Sequence, residues 1–312
     1  MNVYPQVSGP DPDRIPVLAG LIDQLRERHG DAVDAVLAYG SCLRSGDIFD
    51  GLLDLYLVVE SYRTAHGPTL AAAANYLLPP NVYYAQRSAG DQTLRCKVTV
   101  ISRADFASGC SRRWFQSYIW GRFAQPTCII YYRSARVKAE IEESLLDASH
   151  SLLHSTLPAL PAGGTVADLW VDALALSYGT ELRTERPGRA RELVMDNLDY
   201  YRQLTQHHVD SLALPLKVYD AGKETRYRCD LDPARRRRSA LAWAARRVQG
   251  KLLSIMRLVK ALFTFEGGLD YIAWKLERHS GEQITIPERV RRFPLLFMWP
   301  FFWRLYRRGV FK

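Results

Sequence analysis

The sequence predicts a mixed α/β (α+β) protein: a first unit that alternates helices and strands, a mostly helical second unit with a β-hairpin, and a basic amphipathic end. Three observations lead there. Strand-length apolar runs alternate with helically spaced segments over residues 14–135. Helical spacing then dominates until a turn-punctuated pair of strands near residue 220. Positive charge is gathered in the last 80 residues, which hold 18 Lys/Arg against 5 Asp/Glu, net +13, and leave 24 against 28, net −4, for the first 232.

The elements follow in order. Apolar residues at 15, 18, 21, 22 and 25 predict a helix over 14–29. "AVLAYG" and "LLDLYLVVES" read as buried strands. "GPTLAAAANYLL" reads as a helix closed by Pro79-Pro80. "NVYYAQRS" and "TLRCKVTVIS" pair around a turn at Ala89-Gly90-Asp91. "ADFASGCSRRWFQSYIWGRF" has a helical pattern throughout, and "PTCIIYYR" is a further strand. "ARVKAEIEESLLDASHSLLHSTL" is a helix, "LPALPAGG" a linker, and 166–210 helical. "LPLKVYDAGKETRYRCDLD" is a hairpin turning at Asp220-Ala221-Gly222, and the chain is basic and helical from 234. The units expected are 1–140, 141–260 and 261–312.

Composition narrows the class. A chain of 312 residues with 47% hydrophobic residues buries a real core and has room for about two domains. No 18-residue apolar run is present, so no single helix is expected to span a membrane. The start, "MNVYPQVSGPDPDRIPVL", lacks the pattern of a secretory signal. Cysteines 42, 96, 110, 128 and 229 form no CxxC pair and no zinc spacing, which suggests reduced thiols and a cytoplasmic site.

The chemistry concentrates in "AYGSCLRSGDIFDGLLDLYLVVES". A strand ending in Gly-Ser leaves backbone N–H groups free; Gly40 lets a phosphate approach closely and Ser41 adds a hydroxyl. Asp54, at the head of the next strand, is the carboxylate that Mg2+ needs to bridge triphosphate oxygens there. This is the logic of the nucleotidyltransferase fold. The usual second acid of that pattern is missing, because Tyr56 stands two residues after Asp54. An ordinary strand–loop–strand is the competing reading.

Six blocks, "AYGS", "LDLYLVVESYRTAH", "NVYYAQ", "LRCKVTVIS", "YIWGRFAQPTCII" and "LSYGTELR", occur in one order between residues 38 and 183, within a resemblance that covers roughly 36–205. Together they resemble the mitochondrial phosphatidate cytidylyltransferase family, the mitochondrial translocator assembly and maintenance proteins. The resemblance implies a nucleotidyltransferase domain, a winged-helix-like, mostly helical domain and a C-terminal amphipathic segment on the membrane. It implies transfer of CMP from CTP to phosphatidic acid, with Mg2+, giving CDP-diacylglycerol and pyrophosphate. By the same resemblance Gly40 and Ser41 cradle the triphosphate and Asp54 binds metal. Lys97 and Arg122 offset phosphate charge. Glu181 is a second metal carboxylate or a substrate-positioning group, with Arg183 beside it. Cys42 and Trp120 replace a glycine and an alanine of the family pattern.

Each residue also has a structural reading. Lys97 alternates with apolar neighbours, as a solvated strand lysine does. Arg122 could be a helix C-terminal cation, and Glu181 could pair with Arg183 or Arg186. His150 and His154, at i, i+4 with no third ligand nearby, read as surface residues. Trp114, Phe115 and Tyr118 read as core, and Arg235–Arg238 as a solvated face near lipid.

Residues 289–312 hold seven Lys/Arg, no acid, and "FPLLFMWPFFW", which suits a headgroup boundary and predicts an anionic membrane partner on the inner face of the cell membrane. A nucleic-acid-binding protein would use the charge but gain little from that aromatic run. A nucleotidyltransferase acting on a small soluble acceptor would not need it, and a non-catalytic membrane adaptor would not need the metal.

Overall fold

The computed structural model describes residues 4–40, 42–43, 46–49, 51–182, 188–222, 224–264, 277, 286–292, 300, 303 and 307. It is a mixed α/β structure built on a mixed five-stranded sheet. The strands are β1 (Val33–Tyr39), β2 (Leu53–Val59), β3 (Asn81–Ala89), β4 (Gln92–Ser102) and β5 (Thr127–Tyr132), in the order β3-β4-β2-β1-β5. Only β2 and β4 run parallel; the remaining neighbours are antiparallel. The central strands β1 and β2 are buried on both faces, which is why they read as continuous apolar runs.

Side chains alternate across a strand, so each strand supplies both faces. Val36, Ala38, Leu55, Leu57, Val98 and Val100 pack with α1 (Pro16–His29), whose Leu18, Leu21, Ile22 and Leu25 form the helical stripe predicted from their spacing. Leu37, Tyr39, Tyr56, Val58 and Ile101 point the other way. They join a larger cluster that continues without a break through Phe123 to Trp170, Tyr201 and Trp243. Two short helices, α2 (Tyr62–His66) and α3 (Leu70–Leu77), lead from β2 to β3. The first was not foreseen; Ser61 and Thr64 start it with a reciprocal capping box.

Residues 104–123 do not form the single helix that their pattern predicts. α4 is Arg103–Cys110 and α5 is Trp120–Phe123, with non-helical chain between. Ser111 is extended, and its hydroxyl donates to Ser108 O and accepts from Arg113 N, a local bonding that competes with the helix. Beyond the break, Arg122 of α5 meets Tyr39, the last residue of β1.

Beyond β5 lie α6 (Ala135–Thr156), α7 (Val166–Tyr178), α8 (Arg189–Asp196) and α9 (Leu198–His208). The expected linker is structured in part: Gly163–Thr165 is edge strand β6 of a small antiparallel sheet, β6-β8-β7, with β7 Leu216–Ala221 and β8 Glu224–Cys229. Gly163 packs closely there: a Cβ would lie 3.0 Å from Tyr227 O. The basic segment is the long helix α10 (Pro233–Thr264), and α11 is Glu288–Arg292. Helix α6 runs through residue 140 and α10 through residue 260, so both expected unit boundaries fall inside helices. No described helix is long and apolar enough to cross a membrane. All five cysteines are free thiols. Most of the 289–312 segment lies outside the described residues.

His150 and His154 are partly buried rather than on the surface. Burial first, then Arg112 and His150, lowers His154 to about 4. Burial, with His207 and His150, lowers His208 to about 3. His208 shares a hydrogen bond of 2.7 Å with Ser149 Oγ.

Two outcomes follow. The Phe123 ring meets Tyr56 and Phe106 edge-to-face, at 4.7 and 4.8 Å between centroids. Phe123→Ala is expected to lower the unfolding free energy by about 3–5 kcal/mol in urea melts; a much smaller loss contradicts this packing. For the histidines, the unfolded chain binds protons near pH 6.5 and the folded chain does not until about pH 4 or below. Stability should therefore fall as pH drops from about 6.5 toward 4, and His154→Gln should flatten the fall of Tm with acid. An unchanged slope would show that His154 is not buried in its neutral form.

Candidate active site

The strand register brings three side chains to one place. Tyr39 is opposite Asp54 on β1 and β2, and Asp54 is opposite Lys97 on β2 and β4. Tyr39 shares parity with Leu37, Asp54 with Tyr56, and Lys97 with Ile101, so all three leave the sheet on the face that the larger cluster covers. Lys97 Nζ stands 3.8 Å from Asp54 Oδ1, so it is an ion-pair partner rather than a merely solvated lysine.

Gly40 follows Tyr39 with φ +92°, a conformation that side chains rarely adopt. A Cβ built there would lie 3.2 Å from Asp54 Oδ2. The backbone of Gly40 and the carboxylate of Asp54 are thus direct neighbours. Ser41 and Arg183 lie outside the described residues. Cys42 is buried in the α1-side core, and its thiol donates to Leu52 O at 3.4 Å.

Arg122, on α5, is only 9% exposed. Its Nη1 donates to the Tyr39 hydroxyl at 3.1 Å, and its Nη2 donates to both Glu181 oxygens at 3.2 and 3.1 Å. Its Nε is buried and has no hydrogen-bond partner among the described residues. Burial opposes the Arg122 charge, but Tyr39 and Glu181 outweigh it and hold the guanidinium well above its usual value. Burial, then the Asp54 charge, raises Tyr39 above the ordinary phenol range, so it stays a neutral hydroxyl. Tyr118 moves the opposite way: burial would raise it, but Arg122 and Arg257 outweigh that and lower it. The guanidinium carbons of Arg257 and Arg122 lie 4.0 and 4.7 Å from its ring centroid.

Tyr39, Gly40, Asp54, Arg122 and Glu181 line one cleft, with Gly121, Gln125, Ser177, Tyr178 and Arg189. Of the residues expected from sequence, Gly40, Asp54, Arg122 and Glu181 line it together, and Lys97 reaches it through Asp54. Tyr118 packs against the larger cluster, as its core reading expects, and also joins α10 to the site through Arg257. Tyr39 could have been found from its position before Gly40, and Ser177 and Tyr178 from "LSYGTELR". Arg189 and Arg257 have no local signal.

Among the described residues, no group of three or more His, Cys, Asp or Glu is arranged to hold a metal ion. Asp54 and Glu181 are each already beside a cation. Mg2+ commonly takes one or two carboxylates and completes its shell with water and phosphate oxygens. The donor set here therefore fits Mg2+ alongside a phosphate ligand, and not as a closed protein cage.

Two close approaches fix the cleft. A Cβ on Gly121 would sit 1.8 Å from Ser177 Oγ and 2.9 Å from Ser177 Cβ, so α5 and α7 meet there only because residue 121 is glycine. A Cβ on Gly250 would sit 2.4 Å from Thr180 O, so α10 presses on the turn that carries Glu181.

No protein-family model matches the chain, and no curated protein does. Among solved structures, a nucleotidyltransferase-like protein from Exiguobacterium sibiricum aligns at 11% identity and a TM-score of 0.26, covering 94% of this chain and 91% of its own.

Gly121→Ala should cost about 1–3 kcal/mol through overpacking of the α5–α7 seam. Adding Ser177→Gly should restore much of that loss in the same melts. Two independent, additive losses would mean that the seam is not where the strain arises.

Proposed function

We propose that this chain is a nucleotidyltransferase that binds a nucleoside triphosphate at Gly40, Asp54, Lys97 and Arg122. On this reading it passes the nucleotidyl group to an acceptor phosphate. The observation that carries the reading is the Gly40–Asp54 juxtaposition, flanked by Lys97 and the buried Arg122. A positive-φ glycine lets phosphate oxygens reach the backbone, and a carboxylate paired with one cation, in a cleft that a second cation also lines, suits a metal-bound polyphosphate better than it suits a neutral ligand.

The finer reading is a phosphatidate cytidylyltransferase. An oxygen of the phosphatidic acid phosphate attacks the α-phosphorus of CTP in line. The new P–O bond forms as the bond from the α-phosphorus to the bridging oxygen breaks, and pyrophosphate leaves with that electron pair. The acceptor oxygen is already anionic, so no general base and no covalent intermediate is required. Arg122 and Lys97 would offset charge on the triphosphate, and the neutral Tyr39 hydroxyl, accepting from Arg122, would hold that guanidinium in place. Asp54, with Glu181 as second carboxylate, would hold Mg2+, which when bound supplies charge compensation between the phosphates. The CTP, phosphatidic acid and anionic-membrane assignments come from the sequence resemblance and the basic C-terminal charge.

The test is purified protein with vesicles containing phosphatidic acid, Mg2+ and each of four nucleoside triphosphates, followed by product analysis. CDP-diacylglycerol and pyrophosphate from CTP alone are expected. Transfer only to soluble acceptors would keep the reaction class and remove the lipid. No transfer to any acceptor, with no triphosphate bound, would remove both. Asp54→Asn should abolish turnover with the fold intact, because charge changes and shape does not. Lys97→Met should lower kcat more than it raises KM.

A further inference from the structure

Helix α10 carries nine Lys/Arg and no Asp or Glu. One of its stripes faces the body. The Ser239 hydroxyl and Trp243 Nε1 both donate to Ser155 O, Arg246 Nε donates to Phe115 O, Gly250 abuts Thr180, and Arg257 bonds Pro79 O and Gln116. Half a turn round, Leu241, Val248, Leu252, Ile255 and Val259 form a second stripe at steps of seven, four, three and four. These five side chains are 50–72% exposed. Exposed Arg237, Arg238, Arg247 and Lys251 border the stripe.

We propose that this outer face of α10 docks on an anionic lipid surface. An exposed apolar stripe of this length is not the ordinary surface of a soluble helix. A second copy of the chain is disfavoured, because each face would bring cations and no anion to the other. Nucleic acid would take the arginines but gains nothing from a row of Leu, Val and Ile. A helix lying in the headgroup layer uses both features: aliphatic side chains enter the acyl boundary while bordering cations meet lipid phosphates. The docking face is thus placed on 233–264, upstream of the aromatic 289–312 segment. Its inner face touches Thr180, next to Glu181, so docking would bring that side of the cleft within one helix diameter, ~10 Å, of the headgroups; the use of that nearness rests on the nucleotidyltransferase reading, whereas docking itself does not.

The experiment is co-sedimentation of the full chain with phosphatidylserine–phosphatidylcholine vesicles and with phosphatidylcholine vesicles alone. Wild type should bind the anionic vesicles and be partly released by salt. Leu252→Asp with Ile255→Asp should lower partitioning about tenfold or more, with an unchanged thermal melt, since both positions are exposed. Arg247→Gln with Lys251→Gln should lower it less and should imitate added salt. Wild-type partitioning of the Asp pair overturns the proposal, as does a wild type that ignores anionic vesicles. A lower Tm in the Asp pair would show that the chain itself covers the stripe, and loss of a dimer would show that a second copy does; either overturns it too. Nucleotidyl transfer is measured separately on a dispersed short-chain acceptor. Docking without transfer removes the catalytic reading and keeps the face; transfer without docking does the reverse.

Discussion

A guanidinium buried at the end of the sheet organises the cleft. Arg122 cannot be solvated there, so its charge must be met by protein groups or by a ligand. Tyr39 and Glu181 meet most of it, one from the end of β1 and the other from the turn after α7. Removing one member of such a pair leaves the other buried and uncompensated, at a cost of about 3–5 kcal/mol. The pair is therefore a weak net source of stability and a strong constraint on geometry. It fixes where the helical part of the chain sits against the sheet.

Small residues make that arrangement possible and aromatic residues lock it. Gly121 and Gly250 let α5, α7 and α10 approach to backbone distance. Trp120 is fully buried and meets Trp243 of α10 edge-to-face at 6.0 Å. The tryptophan that departs from the family-like pattern is thus an anchor for the basic helix. Cys42, the other departure, turns its side chain into the core.

What the sequence made legible depended on periodicity. The strands carrying Gly40, Asp54 and Lys97 were readable because a buried strand is a continuous apolar run, and their register then forces Tyr39, Asp54 and Lys97 onto one face. The single-helix pattern over 104–123 misled, because apolar spacing persists through Ser111 while its hydroxyl bonds locally. The Arg122–Glu181 pair joins residues 59 apart, and the Tyr118–Arg257 contact joins residues far more distant. No local pattern announces such contacts. The exposed stripe of α10 was equally hidden, since sequence spacing gives two apolar faces and does not say which one packs.

The most direct measurement of the central claim is a calorimetric titration of CTP with Mg2+ into wild type and into Arg122→Lys. Lysine keeps the positive charge but cannot reach Tyr39, both Glu181 oxygens and a phosphate together. The account predicts one saturable site in wild type and a loss of affinity of about tenfold or more in Arg122→Lys, with the fold retained by circular dichroism. Equal affinity in the two proteins would contradict it, and would mean that the buried guanidinium is structural and the triphosphate, if bound, lies elsewhere.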